Sequence, residues 1–441
     1  MTISSSLNAG VAGLSANATR LGTISDNIAN SSTKGYKRVE ADFTSMVMEG
    51  NGSTYTAGGV RATTQRLIGE SGALVGTSNA TDLAVRGRGF LPVAQASQVL
   101  AGNGDPQMYM TTTGSFRVDA DGYLTSNSGL MLMGWKANPD GTIPTNARDT
   151  SASLEPVKIA LNQYLSEPTT SMTLGLNLPA TETNAAASGD PLTLPIEYYD
   201  NFGRSESLTL TFTPTIPVAP ATGSSNEWTI EMTDSASGGN LVGEYVVTFD
   251  DTQALGGTLA TVVPGPNNPA GALAYDPATG SVIVTADGGP IEINLGRPGT
   301  NDGLTQRSDA FAPLNIAKDG SPAGNMTSVE IDENGFVYAF FDTGITSIIY
   351  QVPLVDVPNP NGLMALDKQV YMPAPESGNF FLWNAGSGPT GEVVSFAREE
   401  STTDVASELT DMIQTQRAYS SNAKVIQTVD EMLQETTNIK R

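Results

Sequence analysis

Residues 401–439 read STTDVASELTDMIQTQRAYSSNAKVIQTVDEMLQETTNI, without a proline or a glycine. Side chains that favour burial recur every seven residues, at Val405, Met412, Tyr419, Ile426 and Leu433, with Leu409 and Ala423 beside them. A seven-residue repeat places these side chains in one narrow stripe along an α-helix. The pattern therefore predicts a long amphipathic helix, and Ser401-Thr402-Thr403-Asp404 fits a capping box at its start.

A second stripe with the same spacing lies at the other end of the chain, where residues 4–30 contain no proline. Its apolar positions are Leu7, Leu14, Leu21 and Ile28, with Val11, Ala18 and Ile24 beside them. Gly10 and Gly13 each cost a helix roughly 1 kcal/mol relative to alanine, so a contact outside the segment must stabilise it. For either stripe taken alone, the alternative is a helix that packs on the core of its own domain. That both ends share the pattern favours a shared role.

The residues between the two stripes have a β pattern. Short runs of alternating apolar residues are separated by Gly, Pro, Asn, Asp, Ser and Thr, which is typical of many short antiparallel strands. Residues 117–124 (RVDADGYL) and 330–337 (EIDENGFV) predict hairpins that turn at Asp-Gly and Asn-Gly, where glycine supplies the positive φ. Other predicted strands are Leu83–Val93, Leu208–Thr213, Tyr245–Phe249 and Ser281–Thr285. The predicted fold is mainly β with terminal α-helices.

Composition limits the possible functions. The length of 441 residues suggests about three domains, and a formal net charge of −24 makes nucleic acid and anionic lipid poor partners. Cysteine and histidine are both absent, which removes disulfides, the commonest zinc sites and the Ser-His-Asp and Cys-His nucleophile systems. The sequence contains no secretory signal peptide and no apolar run long enough to span a bilayer. These absences indicate a cytoplasmic protein or one exported with an uncleaved terminus.

Three features bear on a chemical role. Residues 119–122 (DADG) begin like a calcium loop but lack the later ligands of an EF-hand, which favours a turn. Residues 86–90 (RGRGF) lack the Gly-Lys-Ser/Thr of a phosphate loop, so they are interpreted as part of a strand that contains glycines. The 46 acidic residues leave a carboxylate pair for glycoside hydrolysis open. No cofactor, metal or catalytic residue is predicted.

Residues 1–14 (MTISSSLNAGVAGL) and 24–38 (ISDNIANSSTKGYKR) closely resemble the signature of the bacterial flagellar hook and rod family. Residues 416–426 (QRAYSSNAKVI), with 430–433 (DEML), match the closing helix of that family. Three shorter internal stretches agree as well: 82–90 (DLAVRGRGF), 113–116 (TGSF) and 359–363 (NPNGL). The resemblance covers roughly residues 1–145 and 327–441 and leaves the middle unmatched. One departure is ESTTD at 400–404, where the family usually has Glu-Ser-Asn-Val-Asp.

The resemblance implies a nested architecture. Residues 1–30 and 401–441 would form a helical assembly domain, with the two helices paired in a coiled-coil-like inner tube, and residues 31–72 would form a joint. Residues 73–150 and 323–400 would form an inner β domain. Residues 151–322 would form an inserted outer β domain, flanked by candidate hinge loops at 138–153 and 296–325. Rod proteins lack so large an insertion, which favours the hook.

The resemblance also implies the residues that would act. The predicted assembly interface comprises Leu7, Val11, Leu14, Leu21, Ile24, Ile28, Val405, Leu409, Met412, Tyr419, Ile426 and Leu433. The predicted joint residues are Asn30, Thr33, Gly35 and Tyr36. We expect a non-enzymatic subunit that polymerises with itself into a curved extracellular tube and passes torque from rod to filament. Its expected partners are the rod, the hook cap, the hook–filament junction proteins and the type III export apparatus, which would explain the missing signal peptide.

Four alternatives remain at this stage, in two classes. The chain could be a distal rod protein or a hook-associated junction protein of the same family. It could also belong to another class, as a secreted carboxylate hydrolase or a β-rich adhesin. An enzyme of that kind would have a deep pocket with converging carboxylates, whereas a tube subunit would not.

Overall fold

The computed structural model describes residues 3–47, 57–101, 106–160, 164–218, 222–308 and 310–439. Within this range the chain is mainly β, with a long helix near each end, as the sequence predicts. It divides into two compact units. The first comprises Met1–Ala160, Ser328–Phe340 and Thr346–Arg441, and the second comprises Leu161–Thr327 and Phe341–Ile345. The predicted division at residues 151–322 stays a prediction.

Three α-helices are present among the described residues: α1 at Ile3–Ala29, α2 at Ala96–Ala101 and α3 at Val405–Ile439. Both predicted amphipathic helices are therefore confirmed. The capping box is wrong in its register, because Asp404 and not Ser401 caps α3. The Asp404 carboxylate accepts the backbone N–H of Ala406 at 2.9 Å. Residues before it are held outside the helix, since the Thr402 N–H donates to the Tyr36 carbonyl.

The strands that precede the second unit are β1 Val39–Ser45, β2 Val60–Arg66, β3 Leu74–Gly76, β4 Asp82–Arg86, β5 Leu91–Gln95, β6 Tyr109–Thr111, β7 Thr113–Val118, β8 Leu124–Ser126, β9 Leu130–Lys136 and β10 Glu155–Pro156. In this unit β5 pairs antiparallel with β6 and β9, and β4 pairs antiparallel with β7. Leu83, Leu91, Met110 and Phe116 are almost fully buried between these strands. The short strands β1 and β2 pair only with each other and run beside α1.

The second unit contains β11 Tyr164–Glu167, β12 Ser171–Leu178, β13 Leu192–Tyr199, β14 Ser205–Pro214, β15 Glu227–Asp234, β16 Asn240–Phe249, β17 Leu259–Pro264, β18 Ser281–Ala286, β19 Gly289–Asn294, β20 Leu304–Gln306 and β21 Ala312–Lys318. Strands β13 to β17 form an antiparallel sheet in chain order. Along β14 and β15 every second side chain is buried, and these side chains meet those of β12, β18 and β19 in one apolar core. Alternation of this kind is what two sheets packed face to face require.

Strand β22 spans Ser321–Ile331, and the strands that follow are β23 Phe336–Phe341, β24 Thr346–Gln351, β25 Leu354–Asp356, β26 Met364–Leu366, β27 Val370–Met372, β28 Phe381–Trp383, β29 Glu392–Ser395 and β30 Ala397–Glu399. Strand β29 pairs with β4, and β30 pairs with β3. The first unit is thus built from both halves of the sequence, and β30 leads directly into the segment before α3.

Both predicted hairpin turns are confirmed. Gly122 and Gly335 have φ values of 89° and 81°, which a side chain would disfavour. The Asp119 carboxylate accepts the backbone N–H groups of Asp121 and Tyr123, so it stabilises the turn as predicted. Among the described residues no cluster of three acidic side chains is placed to hold a metal ion.

Two strand predictions need correction. The predicted strand Leu83–Val93 is two strands, because Gly87 and Gly89 adopt φ values of 97° and 125° that interrupt the extended backbone. The prediction of antiparallel strands fails at β12, which pairs parallel with β19 and β20. Parallel pairing needs a long connection between the two strands, and here the whole β13–β17 sheet lies between them in sequence.

We predict that residues 164–327 fold alone, because the apolar core of the second unit draws all its buried members from that range. Phe212→Ala in this fragment should lower the free energy of unfolding by roughly 3–5 kcal/mol, since Phe212 is fully buried. Urea titration followed by Trp228 fluorescence measures the change.

The matched control is Phe202→Ala, because Phe202 is 77% exposed. It should alter the unfolding free energy by less than about 0.5 kcal/mol. A fragment without a cooperative urea transition would contradict the independent core.

Candidate assembly surface

Helices α1 and α3 pack against each other in antiparallel orientation. Gly10 lies beside Ile426 and Gly13 beside Asn422, whereas Arg20 forms an ion pair with Asp411 at 3.3 Å. Contacts nearer the C-terminus of α1 thus lie nearer the N-terminus of α3. The two glycines of α1 require a stabilising contact from outside that helix, and α3 supplies it.

The glycines of α1 allow a close approach. A Cβ atom at Gly13 would lie 2.7 Å from Asn422 Nδ2, and one at Gly10 would lie 3.1 Å from Ile426 Cγ1. Each glycine costs helix stability, as the sequence predicts, but each also brings α3 nearer. Small and polar residues of the two helices are buried, namely Ala16, Asn17, Glu408 and Thr415, together with the apolar Ile24 and Val429.

The predicted assembly residues fall into three groups. Ile24 is buried in the chain itself, at 3% exposure. Six are half-buried: Leu7, Leu14, Leu21, Ile28, Met412 and Ile426. Five are exposed: Val11, Val405, Leu409, Tyr419 and Leu433. The seam with α1 therefore leaves much of the predicted stripe uncovered.

Several large apolar side chains of α3 remain exposed although the helix packs against α1. Glu408 faces α1 and is 1% exposed, whereas Leu409, the next residue, lies about 100° further round the helix and is 48% exposed. Ile413, Val425 and Met432 are exposed as well, although the seven-residue count did not select them. We call Val405, Leu409, Ile413, Tyr419 and Leu433 the outer stripe of α3.

A buried amide ties α1, α3 and the segment between α1 and β1 together. Asn27 is 1% exposed, and its Nδ2 donates to Glu408 Oε1 at 3.0 Å and to the Val39 carbonyl. Its Oδ1 accepts the Val39 N–H at 2.9 Å. Arg38 Nε donates to the same Glu408 oxygen at 2.6 Å. Burial alone would lower the pKa of Arg38, but the hydrogen bond and charge of Glu408 outweigh it and raise the pKa.

A second buried contact joins this segment to the last strand. The Lys37 ammonium and the Glu399 carboxylate are 2.7 Å apart, and both side chains are 2% exposed. Glu399 Oε1 also accepts the Gly72 N–H, and Lys37 also donates to the Glu70 carbonyl. Removing one member of a buried ion pair leaves an uncompensated charge, which typically costs about 3–5 kcal/mol. We call Asn27, Arg38, Glu408, Lys37 and Glu399 the polar node.

The predicted joint residues are all bonded next to this node. Asn30 Nδ2 donates to Asp26, and the Thr33 hydroxyl donates to Asn30 Oδ1. Gly35 has a φ of 72°, and its N–H donates to the Glu399 carbonyl. The Tyr36 hydroxyl donates to Asp26 Oδ2 at 2.9 Å. Burial, together with the hydrogen bond to Asp26, raises the pKa of Tyr36 to about 12.

Sequence reasoning did not select the members of the polar node. Asn27, Lys37 and Arg38 lie inside the stretch that resembles the hook and rod family, but neither spacing nor composition marks them. Glu399 and Glu408 lie on either side of the α3 start. The signal that marks the node is a charged side chain that is only 2% exposed, and this is seen in the coordinates and not in the sequence. Charged residues are seldom fully buried unless they are paired.

Two family comparisons match the ends of the chain that carry this arrangement. Residues 7–37 match the family described as "Flagella basal body rod protein", and residues 396–439 match "Flagellar basal body rod FlgEFG protein C-terminal". These ranges contain most of α1, all of α3 and four of the five residues of the polar node, with Arg38 just beyond the first range. Both descriptions are of rod proteins of the bacterial flagellar basal body, so the two chain ends place this protein in that structural class.

Curated relatives extend the match to the whole chain. The "Flagellar hook protein FlgE" of Rhizobium meliloti is 34% identical over 445 residues, and that of Brucella suis is 31% identical over 447 residues, with full coverage of both chains in each case. The Escherichia coli hook protein FlgE is 27% identical over 442 residues, covering 98% of either chain. This chain belongs to the flagellar hook protein family, which favours the hook over the rod and junction alternatives.

The match to a solved hook protein is partial. The Helicobacter pylori flagellar hook protein FlgE2 covers 74% of this chain and 99% of its own, at 14% sequence identity and a TM-score of 0.45. The family assignment rests on the sequence relatives.

We predict that Asn27→Ala loosens the contact between α1 and α3, because the Val39 N–H would lose its acceptor and Glu408 would lose one of its two donors. The opening free energy from hydrogen exchange of α1 amides should fall by roughly 2–4 kcal/mol. The control is Asn8→Ala, at an exposed position of the same helix, where the gain in helix propensity is the same. Equal exchange in the two variants would contradict the role of Asn27.

Tyr36→Phe should change how stability depends on alkaline pH. The folded pKa of about 12 lies above the value of 10.0 for a free phenol, so the neutral hydroxyl stabilises the fold below pH 10 and this contribution disappears as pH rises towards 12. The difference in unfolding free energy between parent and variant, on the order of 1–2 kcal/mol at neutral pH, should therefore shrink between pH 10 and 12. Urea titrations across that range measure it, and a constant difference would contradict the prediction.

Proposed function

We propose that this chain polymerises with copies of itself into a curved extracellular tube, the flagellar hook, which carries torque from the rod to the filament. The observation that carries the proposal is the outer stripe of α3. Its apolar side chains are left exposed by the seam with α1, so they are available to neighbouring copies. Contiguous exposed apolar surface of this kind marks sites of protein association.

The energy of such contacts suits a polymer. Fully burying a leucine, valine or isoleucine contributes about 1.5–3 kcal/mol, and the outer-stripe side chains are already partly covered, so each would contribute roughly half of that. Five such residues on every copy supply several kcal/mol per contact, before the cost of ordering them. Repetition along a tube makes the sum large, while each single contact stays weak enough to rearrange as the tube bends.

Torque also has to pass from the helices to the β structure within each copy. The polar node supports this role, because residues 27–38 are bonded to both the end of β30 and the start of α3. Hydrogen bonds and a buried ion pair resist rotation of the helix pair about the chain that follows it. A flexible linker at this position would absorb the torque instead.

The proposed role is structural and not catalytic. In the second unit the most buried carboxylate, Asp234, accepts hydrogen bonds from the Tyr198 and Ser237 hydroxyls and from neighbouring backbone N–H groups. Asp200 is engaged in the same way by Arg204 and by the Phe202 N–H. Carboxylates that stabilise turns in this way are occupied by the fold, which favours a structural protein over a carboxylate hydrolase.

The remaining partners follow from the hook role. The tube would join the rod at one end, accept the hook cap during growth, and meet the junction proteins below the filament. The chain would leave the cell through the flagellar type III apparatus without a cleaved signal peptide. None of the described helices is long and apolar enough to cross a membrane.

Leu409→Asp should abolish polymerisation and leave the free subunit folded. The side chain is 48% exposed in the free chain, so aspartate costs little there, whereas burying its unpaired carboxylate between copies costs several kcal/mol. Leu409 is preferable to Ile426, which also contacts Gly10 of the same chain. Sedimentation under assembly conditions, with electron microscopy of the pellet, measures the effect.

The control is Gln414→Asp, which adds the same charge at an exposed position about 140° round the helix from Leu409. This variant should assemble like the parent chain. If Leu409→Asp pelleted as tubes at the parent concentration, the outer stripe would not be an assembly surface.

A further inference from the structure

A cationic cavity lies in the first unit, away from the helix seam. It has a volume of about 220 Å³ and is lined by hydroxyl-bearing side chains and backbone of β6, β7 and the β8–β9 turn, including Thr113, Ser126 and Ser128. Three cationic residues line it: Lys34, Lys368 and Arg398. No acidic residue lines it among the described residues, in a chain with 46 acidic and 22 basic residues. The fold therefore gathers positive charge from three distant parts of the sequence.

Two of the three cations have no carboxylate partner among the described residues. Lys368 Nζ donates to the Ser128 carbonyl at 2.6 Å. The Arg398 guanidinium makes no hydrogen bond or ion pair within the described part of the chain, and its Nε is buried. Lys34 pairs with Glu400 at 2.8 Å, with both side chains partly exposed. Because Arg398 has no partner among the described residues, the forked N–H donors of its guanidinium remain available to a carboxylate.

The backbone that presents Lys368 is held in an unusual conformation. Lys368 and Gln369, adjacent residues that both line the cavity, have φ values of 69° and 56°. Neither is a glycine, and residues with a side chain seldom adopt a left-handed conformation. Strained backbone of this kind tends to persist where it positions a functional group. Here it positions the Lys368 side chain at the cavity.

We propose that this cavity receives a carboxylate side chain from a second copy of the chain. The inference rests on the proposed homopolymer. Each copy carries a formal net charge of −24, so copies placed side by side repel one another. Within a homopolymer the surface facing the cavity is that of another copy, on which acidic side chains outnumber basic ones about two to one. A pocket lined by three cations and by no acidic residue among those described converts part of that repulsion into a specific contact and fixes its position.

Zero-length cross-linking of polymer assembled from mixed ¹⁴N- and ¹⁵N-labelled chains tests the contact directly. A carbodiimide activates a carboxyl group, Lys368 Nζ attacks it to form an amide, and the reagent leaves as a urea. We expect mixed-isotope peptides that join Lys368 to an Asp or Glu of another copy, in polymer and not in dilute subunit. If lysines elsewhere formed such peptides in the polymer and Lys368 formed none, the proposal would be overturned.

Assembly of Lys368→Gln gives a second readout. Its critical concentration at low ionic strength should be roughly three- to fivefold above that of the parent chain, and the difference should shrink as salt is added. Lys136→Gln, which removes the same charge from an exposed position in β9, should assemble like the parent chain. Equal critical concentrations for all three chains would overturn the proposal, as would a cavity that binds inorganic phosphate in the free subunit and leaves assembly unchanged.

The two proposals fail in different ways. A parent chain that forms no polymer under any condition would remove the proposed function itself. A parent chain that forms tubes whose assembly ignores Lys368 removes only the carboxylate contact.

Discussion

The buried bond network around Asn27 is the constraint on which the first unit depends. One amide joins α1, the start of β1 and, through Glu408, the first turn of α3. Beside it the Lys37–Glu399 ion pair joins the last residue of β30 to the segment after α1. Charges buried this deeply are tolerated only with partners in place, so the network fixes one arrangement of both chain ends. The ends of the sequence are thereby held as one structural element.

This constraint explains why the two helices can meet through a poor apolar seam. Gly10, Gly13 and Ala16 of α1 supply little buried area, and Asn422 and Thr415 of α3 are polar. The seam needs no stripe of large apolar residues, because the polar node positions the helices. Several large side chains of α3, Leu409 and Ile413 among them, remain exposed. A subunit that buried these side chains internally would have little apolar surface left for contacts between copies.

Charge imposes a second condition on the same molecule. A high net negative charge favours solubility of a protein, but it also opposes the association of identical copies. The outer stripe supplies hydrophobic attraction between copies, which has no directional preference. A cationic cavity at Lys34, Lys368 and Arg398 would add position and orientation to that attraction. The two kinds of surface lie in one unit, so a neighbouring copy could meet both without any change in the fold.

The sequence by itself determined the two long helices, the β interior and the glycine turns at Gly122 and Gly335, because periodicity and backbone freedom act over a few neighbouring residues. It also marked the family through its terminal motifs. The tertiary structure alone decided that Asp404 caps α3, that Leu409 faces outward while Glu408 faces α1, and that β12 pairs in parallel. It also decided which charges are buried or gathered in one cavity. Each of these depends on contacts between residues more than a hundred positions apart, whose energies no local pattern records.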